Sequence, residues 1–223
     1  MSINETVREV RAVRKALSPA RMATYELAAA VTGDEDPAAL ALYAWNAQVS
    51  AALLAPLHIC EVVIRNSVSD ALEMVYGAMW PWSPGFEQSL PAQGIGYSPR
   101  KDLQDVRRIQ TSTGKVIPEL RFVFWQKMFT SRHDNRLWNT HLTRVLPNLA
   151  PAKPVGQLRR EIYDSLEEIR KLRNRIAHHE PIFARNLSGD LQRIVDLVEV
   201  RCKVTARWMM SNQQASTIIA QHP

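Results

Sequence analysis

The run from Ala38 to about Tyr76 sets the tightest limit on what this chain can become. It opens after Asp36 and Pro37, a capping side chain followed by a proline at the first helical position. Leu40, Tyr43, Ala47 and Leu54 then recur at helical spacing. The later half, Leu57 to Leu72, is apolar on most sides, as a helix surrounded by others must be. Pro56 predicts a kink or break inside it. Glu61 and Arg65, four residues apart, have the spacing of an intrahelical ion pair.

A helix of this kind needs cover, and the remaining sequence offers helices to supply it. Ser18 with Pro19 and Ser98 with Pro99 repeat the capping pattern. Residues 1–35 read as N-terminal helices, and further helices are predicted at roughly 99–110, 117–130, 134–146, 157–179 and 189–210. Residues 78–98, rich in Pro, Gly, Trp and Ser, read as an ordered loop, because Trp80 and Trp82 are poorly tolerated in solvent. The tail 211–223 is expected to fray. No alternating strand pattern and no internal repeat is visible. The expected class is an all-α helical bundle with a long central helix and extra helices.

With 223 residues, 46% of them hydrophobic, and no break in composition, the chain can bury one substantial core, so 1–223 is expected to form a single domain. The longest apolar stretch, Val49 to Ile64, is interrupted by Pro56, His58 and Glu61, and the N-terminus carries Glu5, Arg8, Glu9 and Arg11 rather than a hydrophobic leader. These features predict a soluble chain with no membrane partner. Cys60 and Cys202 have neither pairing nor ligand spacing, which fits a reduced cytoplasm. No cofactor is expected: Gly94, Ile95 and Gly96 follow no strand. No metal is expected either, since the adjacent His178 and His179 would point about 100° apart on a helix, and His58, His133 and His141 are scattered.

The net charge of +6 is concentrated. Between Pro99 and Leu146 ten Lys or Arg face four acids, a surplus equal to that of the whole chain. Phe122, Phe124, Trp125, Phe129 and Trp138 are interleaved with them. One reading makes this region an RNA surface, with Arg107, Arg108, Lys115 and Lys127 as phosphate contacts and the aromatics as stacking platforms. The other makes the aromatics core and the cations a solvated face.

The stretch Arg173, Asn174, Arg175, Ile176, Ala177, His178, His179, Glu180, Pro181, Ile182 carries the clearest chemical signal. Ile162, Leu166, Ile169, Leu172 and Ile176 fall in one helical sector, and Arg173 lies about 20° from Ile162, on the buried face. A buried guanidinium must meet a carboxylate, a dimer mate or an anionic ligand. Asn174 and His178 share the neighbouring flank. Pro181 is expected to end the helix near Glu180, which leaves His178 and His179 in the terminal turn.

Taken in order, several segments resemble the bacterial Abi-like proteins (the AbiD and AbiF group) of the HEPN superfamily of all-α domains. They are Leu42, Tyr43, Trp45, Asn46; Glu61 through Arg65 and Asn66; Gly114, Lys115, Val116 with Glu119, Leu120, Phe122, Phe124, Trp125; Leu137, Trp138; and Leu172 to Ile182. The resemblance implies that Arg173 and His178 form the R-x4-H pair of HEPN ribonucleases, with Asn174 as the polar residue after the arginine. It also implies metal-free RNA cleavage, a homodimer with a composite cleft, service as a toxin or abortive-infection effector, and control by an antitoxin protein or a structured RNA. Arg65 to Asp70 lacks a second histidine, so Arg65 and Asn66 are assigned a structural or substrate-positioning role. Val123 stands where the family often has glycine.

The chemistry follows from the residue types. The RNA ribose carries its own nucleophile, so a base, an acid and charge stabilisation at phosphorus suffice. His178 suits the proton transfers, with an ordinary pKa of about 6.5, and Arg173 offers phosphate oxygens a planar fork. Cleavage by 2′-OH attack would leave a 2′,3′-cyclic phosphate and a 5′-OH. Glu61 either orients Arg173 or Arg65 in the resting state or merely neutralises them between helices. His179 and Glu180 are read as shaping the turn before Pro181, with His179 a supporting residue. The alternatives are a non-catalytic RNA-binding or regulatory module that dimerises through the same motif, and an effector acting by protein contact alone.

Overall fold

The computed structural model describes residues 3–31, 33, 35–91 and 96–223, and among these it is helical with no strand. Gly94 and Ile95 lie outside the described residues. Two N-terminal helices, α1 (Ile3–Leu17) and α2 (Pro19–Ala28), lead to the long α3 (Ala38–Tyr76). Then come α4 (Pro84–Ser89), α5 (Pro99–Ile109), α6 (Thr113–Glu119), α7 (Phe122–Met128) and, after a π-helical turn at Asp134–Trp138, α8 (Asn139–Val145). The chain closes with α9 (Val155–Ala177), α10 (Leu187–Glu199), α11 (Lys203–Ser211) and α12 (Ala215–Ile219).

Helix α3 runs through the predicted break at Pro56 as one element of 39 residues. A proline forfeits a single backbone hydrogen bond, and here its ring is buried among the neighbouring helices. Helices α2, α8, α10 and α12 pack along α3, while α9 packs on α7, α8 and α10 as well as on α3. By length and mean hydropathy, 1.7 over its most apolar window, α3 would also suffice to cross a membrane. Its inner residues, from Leu42 and Val49 to Ile64 and Leu72, form the spine of one continuous core.

Four local expectations are corrected. The segment 78–98 is not simply a loop: it holds a 3-10 turn at Trp80–Trp82 and helix α4, whose start is capped where Ser83 Oγ accepts from Phe86 N. The expected helix 117–130 is two helices, α6 and α7, because the chain turns extended at Leu120 and Arg121 just after Pro118. The expected helix 189–210 is broken at Cys202, whose extended backbone lets its Sγ cap Thr205 N. The tail does not fray: α12 packs on α3 and α10, Ala215 is fully buried, and Trp45 Nε1 donates to Ile218 O at 2.7 Å.

The aromatics of the basic middle region are core residues. Phe124, Trp125, Phe129 and Trp138 are fully buried, and Phe122 nearly so. Trp80, Phe86, Phe124 and Trp125 meet edge to face, with centroids 5.2–6.5 Å apart, while Phe129 stacks on Trp138 at 4.6 Å. This removes them as stacking platforms for bases.

Buried beside this layer is His133, whose pKa burial and neighbouring Arg132 push down to about 4. The unfolded side chain takes its proton near 6.5 and the folded one only near 4, so in that window the unfolded chain binds more protons and stability falls as pH falls. Urea titrations are expected to show a loss of about 2 kcal/mol between about pH 7 and pH 5. This interval lies above the carboxylates' range, and His133→Gln should flatten the slope.

Candidate functional site

Helix α9 buries Ile162, Leu166, Ile169, Leu172 and Ile176, the stripe read from the sequence. Arg173 is the exception to that reading: placed on the buried face by periodicity, its side chain is 43% exposed. A long stem at the edge of the stripe carries the guanidinium out to solvent. It emerges in a cleft of about 400 Å³ lined by Arg65 of α3, Arg121 and Phe122 at the turn between α6 and α7, and Arg170, Arg173 and Asn174 of α9. That volume lies within the range of small-ligand sites.

Glu61 stands behind the cleft and joins two of its arginines. One carboxylate oxygen accepts from Arg65 Nη2, and the other lies 3.2 Å from Arg173 Nε. The Glu61 and Arg65 side chains are largely buried, 13% and 16% exposed. Arg65 Nη1 also donates to Pro118 O at 3.3 Å, tying α3 to α6, while its buried Nε has no partner. The carboxylate therefore offsets one of the two positive charges and restrains the direction of Arg173. Arg170 is engaged by Glu167 through a fork at 2.7 and 3.1 Å, and Gln126 Nε2 donates to the same carboxylate. The Arg170 guanidinium is the main influence holding the Glu167 carboxyl below its usual range.

The end of α9 is built from its backbone. Glu180 N donates to Arg175 O at 2.8 Å and His179 N to Ile176 O at 3.0 Å, a Schellman closure with His179 at φ +55°. Glycine is the usual residue at such a position. Three further contacts hold the turn: Arg175 donates to Pro181 O, Arg21 of α2 donates to His179 O, and Ile182 N donates to buried Asn46 Oδ1 at 2.7 Å. Helix α9 thus stops at Ala177, three residues short of Glu180, and His179 serves the turn.

His178 caps the helix with an exposed ring that makes no hydrogen bond or ion pair with the described residues. It does not line the cleft; it lies one turn beyond Asn174, which does. Asn66 is exposed and also outside the cleft. Of the four proposed phosphate contacts, two are occupied within the fold. Arg107 pairs with Glu87 and donates to Pro81 O, and Lys127 donates to Tyr163 Oη at 3.0 Å. Arg108 and Lys115 are exposed, but neither lines the cleft. Sequence reasoning passed over Arg170 and Arg121 as cleft residues. Arg170 was findable, three residues before Arg173 on the same face; Arg121 comes from a turn and carries no periodic signal.

Among the described residues no three His, Cys, Asp or Glu side chains gather closely enough to hold a metal ion. Cys60 is buried, with its thiol pushed up to about 12, and Cys202 caps α11; both are free. Compared with known proteins, the chain matches no family model, no curated protein and no solved structure.

The two arginines on Glu61 should differ in their structural weight. Glu61→Gln strands the buried Arg65 charge and is expected to cost about 2 kcal/mol. Arg173→Gln should cost less than about 1 kcal/mol, because the side chain is half in solvent. Urea denaturation of both variants checks the contrast, and equal losses would contradict this division.

Proposed function

We propose that this chain is a metal-independent endoribonuclease in which Arg173 stabilises charge at phosphorus, His178 moves protons and Asn174 orients the phosphate or the imidazole. One observation carries the reading. Arg173 Nε lies 3.2 Å from Glu61, and its two terminal nitrogens make no hydrogen bond to the described residues in a cleft lined by three further arginines, an arrangement that suits bidentate phosphate contact. Asn174 lines the same cleft, and His178 follows one turn on with a free ring. The resemblance of Leu172 to Ile182 to HEPN ribonucleases supports the same assignment and, with it, service as a toxin or abortive-infection effector in the cytoplasm.

The reading includes a homodimer. His178 stands outside the lining of its own cleft, so a second copy that closes over the end of α9 would bring imidazole and guanidinium together. An exposed stripe on α3 supports this, with Leu54 and Val62 at 49% and 40% exposure and Ala51 and Ala55 beside them. An antitoxin protein or a structured RNA would act by covering that surface or the cleft.

The position of His178 also favours a second reading, a non-catalytic RNA-binding or regulatory module that uses the arginines alone. The purified chain and the Arg173→Ala/His178→Ala double variant, incubated with RNA in the presence of a chelator, separate the two. The enzyme reading expects 2′,3′-cyclic phosphate and 5′-OH ends from the unaltered chain, a fall of at least about 100-fold for either single variant, and RNA binding kept by His178→Ala. RNA bound but never cut would leave the module. Ends bearing 3′-OH would overturn the proposed route.

A further inference from the structure

Four arginines line the cleft, but they are not equally free. Arg65 is buried against Glu61 and Pro118 O, and Arg170 is held by both oxygens of Glu167. Arg173 keeps its terminal nitrogens open. Arg121, from the turn between α6 and α7, is 73% exposed, and its Nε lies 3.6 Å from Asp102. Its backbone is fixed where its side chain is not. Asp102 Oδ2 accepts from Arg121 N and from Tyr97 Oη at 2.6 Å, and the neighbouring Leu120 and Phe122 are anchored in the core. The lining therefore includes two guanidinium groups whose terminal nitrogens make no hydrogen bond to the described residues, one from α9 and one from the turn between α6 and α7, together with the exposed carboxylate of Glu119 and the partly buried Val123.

We propose that Arg121 forms a second phosphate subsite, so that the cleft takes two consecutive phosphates of a single strand, one at Arg173 and the next at Arg121, with a ribose against the partly buried Val123. This rests on the ribonuclease reading for the nature of the polyanion. Two properties favour a strand over a lone anion. The forks stand on separate elements of a cleft large enough for more than an isolated phosphate, and Val123, only partly buried, gives a sugar something to cover. Glu119 lines the cleft as well as the adjoining surface that holds Asp102, Asp105 and Arg108, so carboxylates bound the subsite at Arg121.

The test uses a short 2′-O-methyl RNA, which cannot supply the attacking hydroxyl, and uridine 3′-monophosphate as a single-phosphate probe. Arg121→Gln is expected to weaken the oligonucleotide roughly fivefold at low salt and to make the slope of log Kd against log salt shallower by about 0.7, one single-strand phosphate contact. The mononucleotide should be unaffected. Arg160→Gln, which removes an equally exposed arginine on α9 outside the cleft, should change neither. An unchanged salt slope in Arg121→Gln, an equal loss in Arg160→Gln, equal weakening of the mononucleotide, or no binding by the unaltered chain would each overturn the subsite. Oligonucleotide binding that depends on Arg121, from a chain that leaves unmodified RNA uncut, would support the subsite while removing the ribonuclease reading. Cleavage that persists with an unchanged slope would do the reverse.

Discussion

A helix of 39 residues with apolar side chains around most of its circumference cannot stand alone in water, and the need to cover α3 organises everything else. Each buried aliphatic side chain contributes about 1.5–3 kcal/mol, and α3 supplies such residues along its full length, from Leu42 to Leu72. Helices α2, α8, α10 and α12 contact it. The buried polar groups of α3 follow from the same constraint, since each must find a partner. Asn46 accepts from Ile182 N, Ser69 Oγ accepts from Trp80 Nε1, and Ser67 Oγ donates to the Val63 carbonyl in its own helix.

The site exists because two polar side chains of α3, Glu61 and Asn46, find partners on or just after α9. Glu61 pairs with Arg173 near the C-terminal end of that helix, and Asn46 receives the backbone beyond its terminal turn. Between the two anchors the chain must reverse within a few residues. It does so through His179 in the left-handed region, where a non-glycine residue persists only if its surroundings impose it. The Arg21 and Arg175 contacts to the carbonyls of His179 and Pro181 supply that constraint. His178 is left at a fixed point with its ring in solvent.

The long-range order was largely legible, and the local interruptions were not. The periodicity of 38–76 and of 157–179 is long enough to outweigh any single residue; α3 stands where that pattern places it, and α9 does so apart from two residues at each end. Pro56 misled because its cost is one hydrogen bond set against tight burial. The breaks at Leu120 and Cys202 depend on extended backbones stabilised by packing and by a thiol cap, which leave almost no compositional trace. Helix α4 and the tail are short and acquire their order from contacts with distant residues, Trp45 with Ile218 among them. Within the site, the bond of Glu61 to Arg65 follows from spacing, and the need of Arg173 for a carboxylate, a dimer mate or an anionic ligand follows from its place in the apolar sector. That Arg173 would be half exposed does not follow, because a helical wheel locates the Cβ and not the end of a long side chain.

The structural and chemical uses of these arginines need not compete. Arg65 is compensated by Glu61 and Arg170 by Glu167, and breaking the first, largely buried pair would leave an uncompensated ion in a low-dielectric setting. An anion entering the cleft has no need to break either one. On the proposed reading it would meet the terminal nitrogens of Arg173 while Nε stays beside Glu61, so the carboxylate that stabilises the helix pair would also keep the fork aimed. Orientation fixed before a ligand arrives avoids the entropy of ordering a flexible side chain. A lysine in place of Arg173 could not divide its contacts this way, because its one nitrogen would have to serve both the carboxylate and the anion.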